Sequence, residues 1–227
     1  QKWMGMGHQL IGGMINGGAQ PVLVQVMDDK ERQVLVFRKM VRFGAFVSFP
    51  AMLGLAFVAK EFVLILLGEK WLDSVPFLQL FCLWGAIGYL SQLYVNLLMT
   101  YSRSDVYLSG MILIGLLQIL VVWILYPFGV FNMVIGYICV YFFSILFWHY
   151  SVKEELPIKL ISICKDIVPY LVISIFVFFV VDCVLRNISD VYMLLILKIL
   201  FSSALYILIL LLLKSTILKE AISYLKR

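Results

Sequence analysis

Long uncharged stretches separated by short charged breaks set the rhythm of this chain. A helix that crosses the hydrocarbon of a bilayer needs about 20 mainly apolar residues. Seven stretches offer such length: 3–26, 43–67, 75–98, 106–125, 130–150, 167–185 and 191–213. No Asp, Glu, Lys or Arg stands between Asp105 and Lys153, too long a run for one crossing. Tyr126-Pro127-Phe128-Gly129 divides it, because Pro followed by Gly is a turn signal. The pattern predicts an all-α fold, a polytopic membrane helix bundle of about seven transmembrane helices, forming a single transmembrane domain over residues 1–227.

The segment 28–42 breaks this rhythm. Wound as a helix, Glu31, Arg32, Arg38, Lys39 and Arg42 gather on one side, with Val36, Phe37, Met40, Val41 and Phe43 mostly opposite. A basic amphipathic helix feeding an apolar run reads as a membrane-surface segment followed by a crossing. Before it, the stretch 3–26 is rich in glycine, with Gly13 and Gly17 at GxxxG spacing for close helix approach in lipid. Gln9, Asn16 and Gln20 share one helical face there. Hydrocarbon supplies no hydrogen-bond partner, so these amides face either a wet cavity or neighbouring helices. Pro21 and Pro50 predict a helix end or kink. Lys60 and Glu61 are expected near the far headgroups.

Composition supports the membrane reading. Only 14% of the residues are charged and 63% are hydrophobic, whereas soluble domains carry about a quarter charged residues. The net charge of +5 implies no nucleic-acid partner, since basic loops follow from the positive-inside bias. Alternating the spans puts 28–42, 99–105, 151–166 and the tail on one side, with most of the Lys and Arg. Those segments are expected in the cytoplasm, with the N-terminus of the chain outside and the C-terminus inside. Cys82, Cys139, Cys164 and Cys183 show no metal or redox spacing and read as buried small apolar residues. The chain opens Gln1-Lys2-Trp3, without a signal-peptide pattern, and is expected to begin partway through a larger protein.

Motifs for chemistry are few. Lys214-Ser215-Thr216 ends like a phosphate-binding loop, but leucines stand where its glycine-rich turn would be. His8 and His149 lack metal-ligand spacing, and His149 is expected at an interface. No cofactor or metal is expected, nor an enzyme active site in this segment. Asn187-Ile188-Ser189 matches a glycosylation sequon, a weak signal by itself. Lys198 and Asp182 fall inside predicted spans, where pairing with each other or snorkelling is expected.

One block carries more than hydropathy. Pro21-Val22-Leu23, Asp28-Asp29 with Glu31-Arg32, Arg38-Lys39, Phe49-Pro50 with Met52-Leu53-Gly54-Leu55, and Gly68-Glu69-Lys70-Trp71 with Val75-Pro76 all lie within residues 15–80. This block resembles the lipopolysaccharide and polysaccharide export proteins of the multidrug/oligosaccharidyl-lipid/polysaccharide flippase superfamily. The resemblance implies the second of two helical lobes around a central cavity, followed by a terminal helix pair, with the glycine-rich span lining the cavity. It implies transport of an undecaprenyl-diphosphate-linked oligosaccharide across the bacterial inner membrane by alternating access, without ATP. The partners implied are that lipid-linked oligosaccharide, membrane lipid, the other lobe and polysaccharide-assembly proteins.

Within that frame Arg38, Lys39 and Arg42 are candidates for capturing the diphosphate, or they are ordinary anchors for topology. Gln9, Asn16 and Gln20 are candidates for sugar hydroxyls. A multidrug or cation antiporter of the same superfamily would share the architecture but need ionisable cavity residues. A non-transporting membrane scaffold for polysaccharide assembly is the other class.

Overall fold

The computed structural model describes residues 19–213 together with Ile217. The predicted first span is therefore described only over residues 19–26, and the sequence motif at Lys214-Ser215-Thr216 lies outside the described residues. The described elements are α1 (Ala19–Val24), α2 (Lys30–Phe57), α3 (Ala59–Leu67), α4 (Val75–Thr100), α5 (Ser104–Leu125), α6 (Val130–Ser151), α7 (Leu160–Leu185) and α8 (Val191–Leu212). Short 3₁₀ turns, Glu69–Ser74 and Tyr126–Phe128, join α3 to α4 and α5 to α6. There is no strand among the described residues. Among the described residues, six helices are long and apolar enough to cross a membrane.

The basic segment and most of the span after it prove to be one helix, α2. Asp29 caps it, its carboxylate accepting from the Arg32 N–H at 3.0 Å, and Glu31 sits in the positive first turn. At 28 residues the helix is about 42 Å long, longer than the ~30 Å hydrocarbon core. One end must therefore stand in the headgroup region, and the charged turns mark which end. The helix runs through Pro50, and its interruption comes two turns later, at Val58. Even there the backbone ladder is bridged, Val58 N–H donating to Gly54 O at 3.1 Å and Phe62 N–H to Val58 O at 2.9 Å.

Packing makes α2 the hub of the bundle. One face packs on α4 and another on α7. Val36, Phe37, Met40 and Val41 join Tyr94, Leu97, Leu98 and Trp148 in one core. Ala45 and Phe49, further along α2, join Tyr170, Val177, Val181 and Tyr206 in a second. The α2–α4 approach is close because Gly44 has no side chain: a Cβ there would overlap the ring of Tyr89. Gly68 and Gly129 have φ of 87° and 91°, left-handed turns that glycine adopts without strain.

The helices alternate in direction, and polar contacts show which loops share an end. Arg103 Nη1 donates to Glu155 Oε1 at 2.7 Å, joining the turn after α4 to the turn after α6. Tyr101 Oη donates to Gln33 Oε1 at 2.5 Å, joining that turn to the start of α2. Gln33 is fully buried and also donates to Leu23 O at 3.3 Å. Segments 28–42, 99–105 and 151–166 thus gather at one end, as the alternation of spans predicts.

Two expectations about single residues need correction. Only Cys82 is buried; Cys139, Cys164 and Cys183 are exposed on outward helix faces. A thiol is apolar enough to lie against lipid, so a membrane helix has no need to turn it inward. His149 is 3% exposed and is no interfacial group. Its Nδ1 and the Tyr94 hydroxyl share a hydrogen bond at 2.9 Å, which makes its burial tolerable.

Candidate functional site

Arg38 and Arg42 stand one turn apart on α2 and so project on the same side. Across from them, in the second turn of α7, Asp166 is 6% exposed. Arg38 makes a two-point contact with its carboxylate, Nε to Oδ2 at 2.7 Å and Nη2 to Oδ1 at 3.0 Å. This planar fork is the strongest geometry available to an Arg–carboxylate pair. Arg42 is held more loosely. Its Nε lies 3.7 Å from Asp166 Oδ1 and donates to Arg38 O at 3.4 Å. The Arg38 and Arg42 side chains remain 32% and 36% exposed, against 7% for Asp166. Two guanidiniums thus share one carboxylate, leaving a net positive group that water or a ligand can reach.

Tyr89 on α4 lies within electrostatic reach of Asp166. Its hydroxyl is buried with no hydrogen-bond partner among the described residues. Such an orphaned hydroxyl is rare in a native fold, and here it stands within reach of a buried acid. Lys39, about 100° round the helix from Arg38, is also engaged in an interaction. Of the three basic residues singled out from sequence, the structure brings Arg38 and Arg42 together on a shared acid. Of the three amides, Gln20 is exposed on α1, and Gln9 and Asn16 lie outside the described residues.

The carboxylate was the residue that sequence reasoning missed. Reading charges as breaks between spans put Asp166 in a loop, one residue before the sixth span. In the structure α7 begins at Leu160, and its buried positions run Ile163, Asp166, Tyr170, Ser174, Val177, Val181 and Leu185. Asp166 sits squarely on that helical stripe, which was the available signal.

A second charged group marks the opposite end. Lys198 on α8 donates to Glu61 Oε1 on α3 at 2.8 Å and lies 4.0 Å from Asp182 Oδ1 on α7. Its ammonium also sits over the Phe57 ring, 4.4 Å from the centroid. The expected Lys198–Asp182 contact is therefore present but secondary. Glu61, expected at the headgroups, is 7% exposed, while neighbouring Lys60 is exposed. The α3 geometry turns one inward and the other out. Beside this group an apolar groove of about 580 Å³ runs between α2 and α8, lined by Phe46, Pro50, Gly54, Phe178 and Tyr206 among others.

Outside the spans, Arg103 is held even more firmly protonated than usual by its hydrogen bond to Glu155 and the charge of Asp105. Burial pushes the Tyr101 hydroxyl up from its ordinary value although its bond to Gln33 works the other way. Both remain in their ordinary charge states near neutrality, as fixed ties between loops. No group of three or more His, Cys, Asp or Glu suited to a metal ion occurs among the described residues.

Comparison with known proteins bears on the same region. A family model described as polysaccharide biosynthesis protein matches residues 1–76. An uncharacterized membrane protein in the cps region of Klebsiella pneumoniae is 41% identical over 85 residues, covering 37% of this chain and 18% of that protein. The lipopolysaccharide biosynthesis protein WzxC of Escherichia coli (strain K12) is 35% identical over 86 residues, 38% of this chain and 18% of its own. The teichuronic acid biosynthesis protein TuaB of Bacillus subtilis (strain 168) is 35% identical over 69 residues, 30% of this chain and 14% of its own. The matched part of the chain thus spans less than a fifth of each of these relatives. No solved structure matches the chain. Residues 1–76 are thus similar to the polysaccharide biosynthesis proteins, and the six long apolar helices among the described residues make the chain a multi-pass membrane protein.

Proposed function

We propose that this chain is part of a flippase that carries a lipid-linked oligosaccharide across the bacterial inner membrane by alternating access. In this reading the substrate is the undecaprenyl-diphosphate-linked repeat unit of an O-antigen or exopolysaccharide, and the C-terminus of the chain is cytoplasmic. The observation that carries the reading is the Arg38–Asp166–Arg42 group, two partly exposed guanidiniums held on one buried carboxylate at the basic end of the bundle. A diphosphate cannot enter hydrocarbon with its charges unpaired. Guanidinium forks match phosphate oxygens as well as carboxylate ones, so a diphosphate competes with Asp166 for the same donors.

That exchange has a mechanical consequence. Arg38–Asp166 ties α2 to α7, and capture of the diphosphate by Arg38 and Arg42 loosens the tie. The orphaned Tyr89 hydroxyl is a further donor at hand. Ligand binding is thereby coupled to the packing of the hub helix, which an alternating-access cycle requires. Lys39 contributes positive charge to the same approach. The orientation is supported by the gathering of the basic segments 28–42, 99–105 and 151–166 at one end of the bundle.

Reconstitution of the protein, as its natural gene makes it, with a fluorescent undecaprenyl-diphosphate oligosaccharide tests this. Transfer between leaflets is expected in the wild type and is expected to fall at least about tenfold in Arg38→Gln/Arg42→Gln, the loss of one charged hydrogen bond's contribution. Unchanged transfer in a correctly inserted variant would reduce the arginines to topology anchors.

A further inference from the structure

We propose that a cavity between α4, α5 and α6 receives an uncharged sugar residue of the lipid-linked saccharide, an inference that rests on the transport function proposed above. The cavity has a volume of about 340 Å³, within the range of small-molecule sites, about 300–1,000 Å³. Its wall combines the amides Gln92 and Gln118 with the aromatic rings of Tyr107, Tyr137, Tyr141 and Trp148. No Asp, Glu, Lys or Arg lines it.

The amides are the informative residues. Gln92 stands about 12 Å from the Thr100 end of α4, and Gln118 about 21 Å from the Ser104 end of α5, at 1.5 Å per residue. Both are deep in helices that cross the membrane. Gln92 makes only a long contact with Asn96 Oδ1 on its own helix, 3.4 Å, and Gln118 makes no hydrogen bond among the described residues. At such depth an amide without a partner is costly, so it faces water or a polar ligand. Gln92 and Met111 are exposed at the rim, so the cavity is open on one side.

The chemistry of the wall selects its occupant. A hexose ring presents C–H faces that stack on aromatic rings and hydroxyls that both donate to and accept from amides. A pyranose bearing a carboxylate would enter with its charge unpaired, since the wall offers no cation. Neutral or N-acetylated sugars therefore fit and uronic acids do not. The α4 helix serves as a shared wall: Gly44 of α2 lies against Tyr89 on one side, while Gly88 and Gln92 line the cavity on the other. The arginines take the diphosphate, and the amides and rings take the sugar.

The test uses the reconstituted protein and two photoprobes, undecaprenyl-diphosphate N-acetylhexosamine and the corresponding uronic acid, each with a diazirine on the sugar. Transfer and cross-link position are read together. The expected result is transfer of the neutral probe with cross-links on Tyr107, Tyr137 or Tyr141. Gln92→Leu/Gln118→Leu is expected to lower that cross-linking by about tenfold, the scale of a lost buried hydrogen bond. Leucine suits a membrane helix, and Gln118→Lys provides a second variant, expected to shift preference toward the uronic acid probe. Transfer with cross-links elsewhere, or equal capture of both probes by wild type and variants, overturns the sugar site and leaves the flippase reading standing. No transfer of either probe by the wild type overturns both.

Discussion

Breaking the Lys198–Glu61 pair one side at a time is the sharpest test of how the bundle is held together. The two side chains are 10% and 9% exposed and bonded at 2.8 Å, so solvent screening removes little of their interaction. Asp182, 4.0 Å away and 64% exposed, contributes far less. Removing one member of a buried pair costs about 3–5 kcal/mol, because the other charge is left unpaired. The ammonium of Lys198 is seven residues into α8, about 10 Å from its end, and can snorkel outward. Glu61→Leu is therefore expected near the low end, about 3 kcal/mol. Lys198→Met is expected nearer the top of that range, since Glu61 already has one carboxylate oxygen without a partner and then loses its only close cation among the described residues. The double variant replaces ions by apolar side chains and is expected to be close to wild type. Reversible unfolding in bicelles by denaturing detergent gives all four free energies, and the cycle should yield a coupling of at least about 3 kcal/mol. A coupling below about 1 kcal/mol, the range of exposed pairs, would refute the claim that this pair closes α3 onto α8.

Gly44→Val forces a side chain into the space of the Tyr89 ring and is expected to destabilise the bundle by about 1–3 kcal/mol in the same unfolding assay; no change would mean that α2 and α4 are not closely apposed. Tyr94→Phe leaves buried His149 Nδ1 without its 2.9 Å partner and is expected to cost about 1–3 kcal/mol, whereas the same change at exposed Tyr126 should cost little. Labelling Ser102→Cys and Ser189→Cys with an impermeant maleimide tests orientation, since these exposed residues stand at opposite ends of the bundle. Ser102→Cys is expected to react from the cytoplasmic side and Ser189→Cys from outside, and the reverse pattern would invert the proposed topology.

Much of the architecture was legible in the chain itself. Water and hydrocarbon differ so strongly as solvents that a run of apolar residues long enough to cross declares itself by length alone. That is why six long apolar helices stand among the described residues, and why the basic segments collect at one end. Hydropathy is blind, however, to which face of a helix looks inward. Lipid and protein core are equally apolar, so Cys82 inside and Cys139 outside are indistinguishable by that measure. The same blindness applied to charge. Treating Asp166 and Glu61 as punctuation placed them at boundaries, because an isolated charge is unstable in hydrocarbon, and Lys198, read inside a span, was matched to Asp182 instead of Glu61. The tertiary structure supplies each with a partner more than 100 residues away in the chain, and pairing removes the penalty. The sequence by itself determined where helices cross and which ends are basic, a matter of solvent transfer along the chain. Only tertiary packing decided which charges could afford to be buried, because that depends on what lies opposite.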